Sequence, residues 1–230
     1  MSAKFDISEG FTGNQLKILA MIAMTCDHLG LMLFPKVVIL RIIGRLALPI
    51  YAYMIAEGCR HTRSKGKYLL RLAVLGLGCQ VVYFVTMRSL YQCILITFSL
   101  SVLLIWAIDH AQKKRDSASR TLALAALFGI CFVAMGIPIL FPETGFRVDY
   151  GIVGVLLPVL VYFGADRQKY LTAGLILLGL GSGGIQWFSL AAVPLLGMYN
   201  GKRGTAKIGL LFYLYYPLHL AVIYGLSLIL

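Results

Sequence analysis

Asp27 and His28 stand side by side inside a long apolar run. Such a pair carries what general-base chemistry requires, a ring that titrates near neutrality and a charge that tunes it. Consecutive helical residues diverge by about 100°, so Asp27 is expected to find its partners elsewhere than on the adjacent ring. Arg41 and Arg45 lie four apart on one face of the next apolar run, so one can neutralise Asp27 and leave the other for an anionic ligand. A structural ion pair pinning the first run to the second accounts for the same arginines.

Lys17 precedes His28 by eleven residues. That is three helical turns plus about 20°, so both side chains leave one face, about 16 Å apart along the axis. Lys17 at the shallow end can hold a phosphate while a thin arm of the same ligand reaches His28. As a boundary lysine it would instead snorkel to the surface.

Further polar groups carry weaker signals. Glu57 lies within the second run. His219, in Tyr215-Tyr216-Pro217-Leu218-His219, either lines the same cavity or bonds a neighbouring helix. Asp149-Tyr150-Gly151 opens a later run, as a landing point for an acceptor or as a helix-start charge with an interfacial tyrosine. Arg63 and Lys67, in the first basic loop, are further candidates for phosphate, whereas His61 and His110 read as solvated. The glycines at 179–184 lack the Lys-Ser/Thr of a phosphate loop and read as close helix packing.

These groups need a scaffold, and composition identifies it. Of 230 residues, 60% are apolar and 13% charged, which excludes a soluble globular chain and indicates a polytopic all-α membrane bundle. The net charge of +12 falls in short loops beside apolar runs, where membrane orientation demands it, so nucleic acid is not expected as a partner. Five cysteines without C-x-x-C spacing indicate neither a disulfide framework nor a zinc site, and no metal is expected. The first apolar run carries Asp27 and His28 with no small-residue cleavage site behind it, so it is expected to remain in the mature protein.

Apolar runs fall at about 16–34, 38–58, 68–87, 91–109, 121–140, 151–165, 170–183, 185–199 and 208–230. With nine spans and the N-terminus inside, thirteen Lys and Arg fall in inner loops and three (Lys36, Arg88, Arg147) in outer ones. Merging 170–199 into one span would strand Lys202, Arg203 and Lys207 outside, so nine helices with the N-terminus cytoplasmic are expected. The longest polar stretch, His110 to Arg120, is too short for a domain, and residues 1–230 are read as one integral-membrane domain.

Together the motifs resemble the TraX family of membrane proteins. The resemblance rests on Leu16-Lys17-Ile18, Asp27-His28, Arg41-Ile42-Ile43-Gly44-Arg45-Leu46-Ala47-Leu48-Pro49, Ala56-Glu57-Gly58, His61-Thr62-Arg63 and Tyr68-Leu69-Leu70-Arg71-Leu72, with Asp149-Tyr150-Gly151 and Tyr216-Pro217-Leu218-His219 as later landmarks. The family's best-known member acetylates the N-terminus of F-pilin. The family is also similar to the transmembrane acyltransferases that include heparan-α-glucosaminide N-acetyltransferase, in which a basic residue eleven positions before a first-span histidine recurs; Lys17 and His28 match it. The stretch Gln92-Cys93-Ile94-Leu95-Ile96 before Thr97 departs from that wider pattern.

The resemblance implies a multi-pass protein of the bacterial cytoplasmic membrane. It implies transfer of an acetyl group from acetyl-CoA, as donor substrate, to a small-molecule, glycan or protein N-terminal acceptor. His28, as general base or as carrier of the acetyl group, with Asp27, Arg41 and Arg45 are then the catalytic candidates, Lys17, Arg63 and Lys67 the acetyl-CoA-binding ones, and Glu57, Asp149, Tyr150, Tyr216 and His219 those for the acceptor. A proton-coupled transporter would use the same buried Asp27/His28/Arg41/Arg45 group, though no inverted repeat is visible. A non-catalytic scaffold would leave the Lys17 to His28 register a coincidence. Glycine-rich faces serve internal packing and oligomer contacts alike.

Overall fold

The structure is a computed structural model that describes residues 10–205 and 209–229; Lys207 and both extremes of the chain lie outside them. The order begins with α1 (Gly13–Met32), α2 (Val38–Gly44), α3 (Ala47–His61) and α4 (Lys65–Met87). After strand β1 (Tyr91–Gln92) come α5 (Ile94–Lys114), α6 (Ser117–Cys131), a π-turn (Phe132–Gly136) and α7 (Ile137–Leu140). Strand β2 (Arg147–Val148) pairs in parallel with β1. It leads into α8 (Gly151–Phe163), α9 (Arg167–Ser182), a 3₁₀ segment (Gly184–Ala191), α10 (Ala192–Gly197) and α11 (Gly209–Ser227). Among the described residues the fold is all-α apart from the short β1/β2 pair and one bridge between Phe11 and Tyr199, and every expected apolar run carries helix.

Four stretches among the described residues are long and apolar enough to cross a membrane: Val38–His61, Lys65–Val85, Ile94–Lys114 and Ser117–Leu140. In α4 and α6, Leu70, Val74, Leu77, Val81, Leu122 and Phe128 point outward. An apolar stripe of that extent suits lipid, not water.

Proline explains the two interruptions. Pro49 has no N–H for the carbonyl of Arg45, so the second run ends one helix and restarts as another. A tight turn spans the gap, with Arg45 N–H donating to the Ile42 carbonyl and Leu46 N–H to Ile43. Pro138 likewise removes a donor, and the Ile137 N–H reaches back five residues to Phe132.

The residues group into two compact units: one runs up to Met54 and resumes at Leu171, the other is Ile55–Tyr170. The core of the first includes Leu16, Ala20, Ile50, Leu171, Leu175 and Leu196. That of the second includes Leu72, Val102, Leu104, Ile105, Val155 and Leu157.

Three features of the first unit position its polar groups. A capping box starts α1: Thr12 accepts from the Gln15 N–H, and Thr12 N–H donates to the Gln15 side chain at 2.7 Å. The loop after α10 clasps this start, with Phe11 N–H donating to Met198 O, Gly13 N–H to Lys202 O and Asn14 N–H to Arg203 O. The run 184–197 holds eight 3₁₀ residues, which at about 2.0 Å each against 1.5 Å lengthen it to roughly 25 Å, compared with about 21 Å as pure α-helix.

Candidate functional site

Two glycines let α2 lie directly on α1. A Cβ on Gly44 would collide with the Asp27 side chain, and one on Gly30 would fall 3.0 Å from Leu40 Cβ and 3.1 Å from Arg41 Cγ. The close approach brings both arginines to one carboxylate. Arg41 Nη1 donates to Asp27 Oδ2 at 2.9 Å and to the Asp27 carbonyl at 3.3 Å, and Arg45 Nη2 donates to Asp27 Oδ1. Arg45 also donates from Nε to the Arg41 carbonyl at 3.2 Å and from Nη1 to Gln186 Oε1 at 3.1 Å. The division of labour expected from sequence, one arginine on Asp27 and one held apart, is not the arrangement found: the arginines share the carboxylate. Two guanidinium groups on one carboxylate leave one net positive charge, and Arg45 is the more enclosed, its side chain 9% exposed against 24% for Arg41.

The face of α1 that carries Lys17 and His28 meets α11. Lys17 Nζ lies 5.0 Å from the Phe212 ring centre. The Thr25 and Tyr215 hydroxyls bond each other, and Tyr215 also donates to the Met21 carbonyl at 3.4 Å. His28 Nδ1 lies 3.1 Å from His219 Nε2. Residue numbers rise together along both helices, so α1 and α11 run parallel. Tyr216 closes the group, its ring centre 6.5 Å from that of His28 and 5.6 Å from that of His219.

Hydrogen bonding fixes the tautomers. His219 Nδ1 lies 2.8 Å from the Tyr215 carbonyl, which only accepts, so the proton of the neutral ring sits on Nδ1 and Nε2 accepts. His28 Nδ1 lies 2.9 Å from the Met24 carbonyl and must also carry hydrogen. That N–H is shared between Met24 O and His219 Nε2. In the neutral ring His28 Nε2 is therefore the nitrogen without hydrogen, the atom a general base needs.

The other sequence candidates fall in the second unit. Glu57, buried near the end of α3, accepts from Arg167 Nη1 at 2.6 Å, with Arg60 Nη1 3.8 Å and His61 Nε2 3.4 Å away. Arg60 in turn donates to the Val161 and Tyr162 carbonyls. Arg63 and Lys67 are exposed around the start of α4. Asp149 accepts from the Tyr91 hydroxyl at 2.6 Å, its N–H donates to Gln92 O, and its carbonyl accepts from the fully buried Thr97. Burial first, and then the Asp149 carboxylate, push the Tyr91 hydroxyl up from its ordinary range. Tyr150 has φ of 58°, and Gly151 continues the left-handed turn that opens α8.

Sequence reading did not single out Gln186, Thr25, Tyr215, Phe212 or Arg167 as site residues. Tyr215 carried a usable signal, since it sits four residues before His219 on the same helical face. Arg167 answers the requirement that a buried acid have a base. Gln186 carries no comparable mark.

Comparison with known proteins identifies the family. The family model described as TraX protein matches residues 12–227. A probable fimbrial assembly protein, FimC of serogroup H1 from Dichelobacter nodosus, is 29% identical over 237 residues, spanning 93% of this chain and 94% of its own. An uncharacterized protein, RP591 of Rickettsia prowazekii (strain Madrid E), is 58% identical over 38 residues, 16% of this chain and 15% of its own. No solved structure matches. The chain belongs to the TraX family.

Proposed function

We propose that this TraX-family chain is a membrane acetyltransferase. It takes the acetyl group of cytoplasmic acetyl-CoA and delivers it to an amine or hydroxyl at the membrane or its outer side. The observation that carries the reading is the His28–His219 pair, whose bonds leave His28 Nε2 unprotonated, on the same α11-facing side of α1 as Lys17. The name of the fimbrial-assembly relative makes the N-terminal amine of a pilus subunit the first acceptor to try.

In the mechanism, Lys17 holds a phosphate of acetyl-CoA and the thioester lies near His28. Arg63 and Lys67 are phosphate candidates on charge alone. The acceptor's lone pair attacks the thioester carbon, the C=O π pair moves onto oxygen, and His28 Nε2 takes the acceptor's proton. The resulting imidazolium keeps its Nδ1–H bonded to Met24 O and His219 Nε2. Collapse re-forms the carbonyl and expels the CoA thiolate, which receives the proton from His28. Asp27 and Arg45 hold the cluster together. Arg41 or Arg45 supplies the net positive charge of the cluster to the developing oxyanion. Tyr216 and His219 border the acceptor; in the second unit Glu57 pairs with Arg167, and Asp149 and Tyr150 lead into α8.

Nine spans with the N-terminus inside suit the geometry of the first unit. The loop bearing Lys202 and Arg203 binds the start of α1, which puts those charges on the N-terminal side. The parallel run of α1 and α11 is what the first and last of an odd number of crossings require. The decisive assay is release of free thiol from acetyl-CoA by purified protein with a primary amine added. Wild type turns over, and His28→Ala, folded, loses about 10²–10⁴-fold. Retention of wild-type turnover in His28→Ala removes His28 from the reaction.

A further inference from the structure

Two buried polar groups beside the arginine cluster have work left to do. Arg45 Nη1 donates to Gln186 Oε1, and because a guanidinium accepts nothing, the amide cannot be turned round. Gln186 Nε2 is thereby forced to face away from Arg45, and it has no hydrogen-bond partner among the described residues. Ser189 Oγ has none either. Gln186 is 5% exposed and Ser189 wholly enclosed. Three residues apart on a 3₁₀ helix, the two side chains leave the same side of the segment. Buried donors are normally satisfied, and an orphaned pair next to one net positive charge suits a small oxygen acceptor.

We propose that Gln186 Nε2–H and Ser189 Oγ–H, backed by Arg45, form the site for the thioester carbonyl oxygen of acetyl-CoA. The proposal rests on the acetyl-transfer reading and gives the 3₁₀ segment a catalytic part in it. Asp27 directly precedes His28, and one ion pair and one hydrogen bond lead from Asp27 through Arg45 to Gln186, so the donors are two contacts removed from the residue beside the base. As the acceptor attacks, the π pair arriving on that oxygen is met by two N–H or O–H donors and the arginine charge. When the carbonyl re-forms and thiolate leaves, the same donors return to a neutral oxygen. Donors aimed at developing charge in a dry site favour the transition state over the ground state.

The test compares acetyl-CoA with CoA, which lacks only the acetyl group, on full-length protein in detergent. The variants are Ser189→Ala, which removes one donor alone, and Gln186→Glu, which keeps the oxygen that Arg45 grips, removes the other donor and cancels the net positive charge behind it. Wild type is expected to bind acetyl-CoA more tightly than CoA. Both variants lose that preference while their affinity for CoA stays as in wild type, and each lowers thiol release about 10²–10³-fold. Without ligand, Ser189→Ala melts at or above the wild-type temperature, because it removes an unsatisfied buried hydroxyl. Wild-type preference and turnover in both variants would overturn the assignment and leave the acetyltransferase reading standing. If wild type binds neither ligand, the reading itself falls and takes the assignment with it.

Discussion

Replacing Asp27 with Asn keeps the size of the side chain and removes the charge that two guanidinium groups share. Breaking a buried pair from one side costs about 3–5 kcal/mol, because the remaining charge stays enclosed without its counterion. Arg41 is 24% exposed and Asp27 15%, so the pair is not fully enclosed and the lower end, about 3 kcal/mol, applies. For a chain of 230 residues that is a fall in Tm of roughly 6–12 °C. Thermal unfolding in detergent, followed by helical circular dichroism, measures it. Structure also ranks the rescues. Arg45 is more enclosed than Arg41, so Asp27→Asn with Arg45→Met recovers more stability than Asp27→Asn with Arg41→Met. A Tm within 2 °C of wild type for Asp27→Asn alone would show that the cluster is hydrated and that the reasoning from burial is wrong.

Three further outcomes follow from the same geometry. His219→Leu removes the acceptor that steadies His28 Nδ1–H and is expected to lower turnover about 10–100-fold while acetyl-CoA affinity holds, since the ring loses orientation rather than its lone pair; equal turnover would remove His219 from the site. Gly44→Ala places a methyl against the Asp27 side chain and should lower Tm by several degrees, whereas Gly78→Ala, with open space around its Cβ, should not; similar melting of the two would contradict the close packing of α2 on α1. With native cysteines removed, Lys202→Cys should react with an impermeant maleimide only when the inner face is opened and Arg147→Cys from outside, and the opposite pattern would invert the topology.

The residues themselves announced part of this arrangement. Asp27, Arg41 and Arg45 were legible because lipid tolerates no isolated charge, and i,i+4 spacing told which face the arginines share. The Lys17 to His28 register survives in space because α1 is an unbroken helix, and both ends of the register meet α11. The restart of the second run at Ala47 was implicit in Pro49, but hydropathy alone runs smoothly across it. Gln186 stayed hidden because a glutamine in an apolar run has no spacing signature; its role arises only when the 3₁₀ segment packs on α2. The His28–His219 contact joins residues 191 apart and depends on α1 and α11 lying side by side, a pairing that no local pattern encodes. Glu57 was grouped with the other buried charges because it shares their apolar run, yet its ion pairs are with Arg167 and Arg60, in the second unit.

The most direct test of the central claim is acetyl-CoA binding to purified protein, read as a thermal shift with wild type, Lys17→Ala and His28→Ala. Saturable stabilisation of wild type, weakened in Lys17→Ala and kept in His28→Ala while thiol release disappears in the latter, is the expected result: Lys17 holds the donor and His28 acts on it. No stabilisation of folded wild type at millimolar acetyl-CoA would contradict the account and leave the Asp27/His28/Arg41/Arg45 group without a donor substrate.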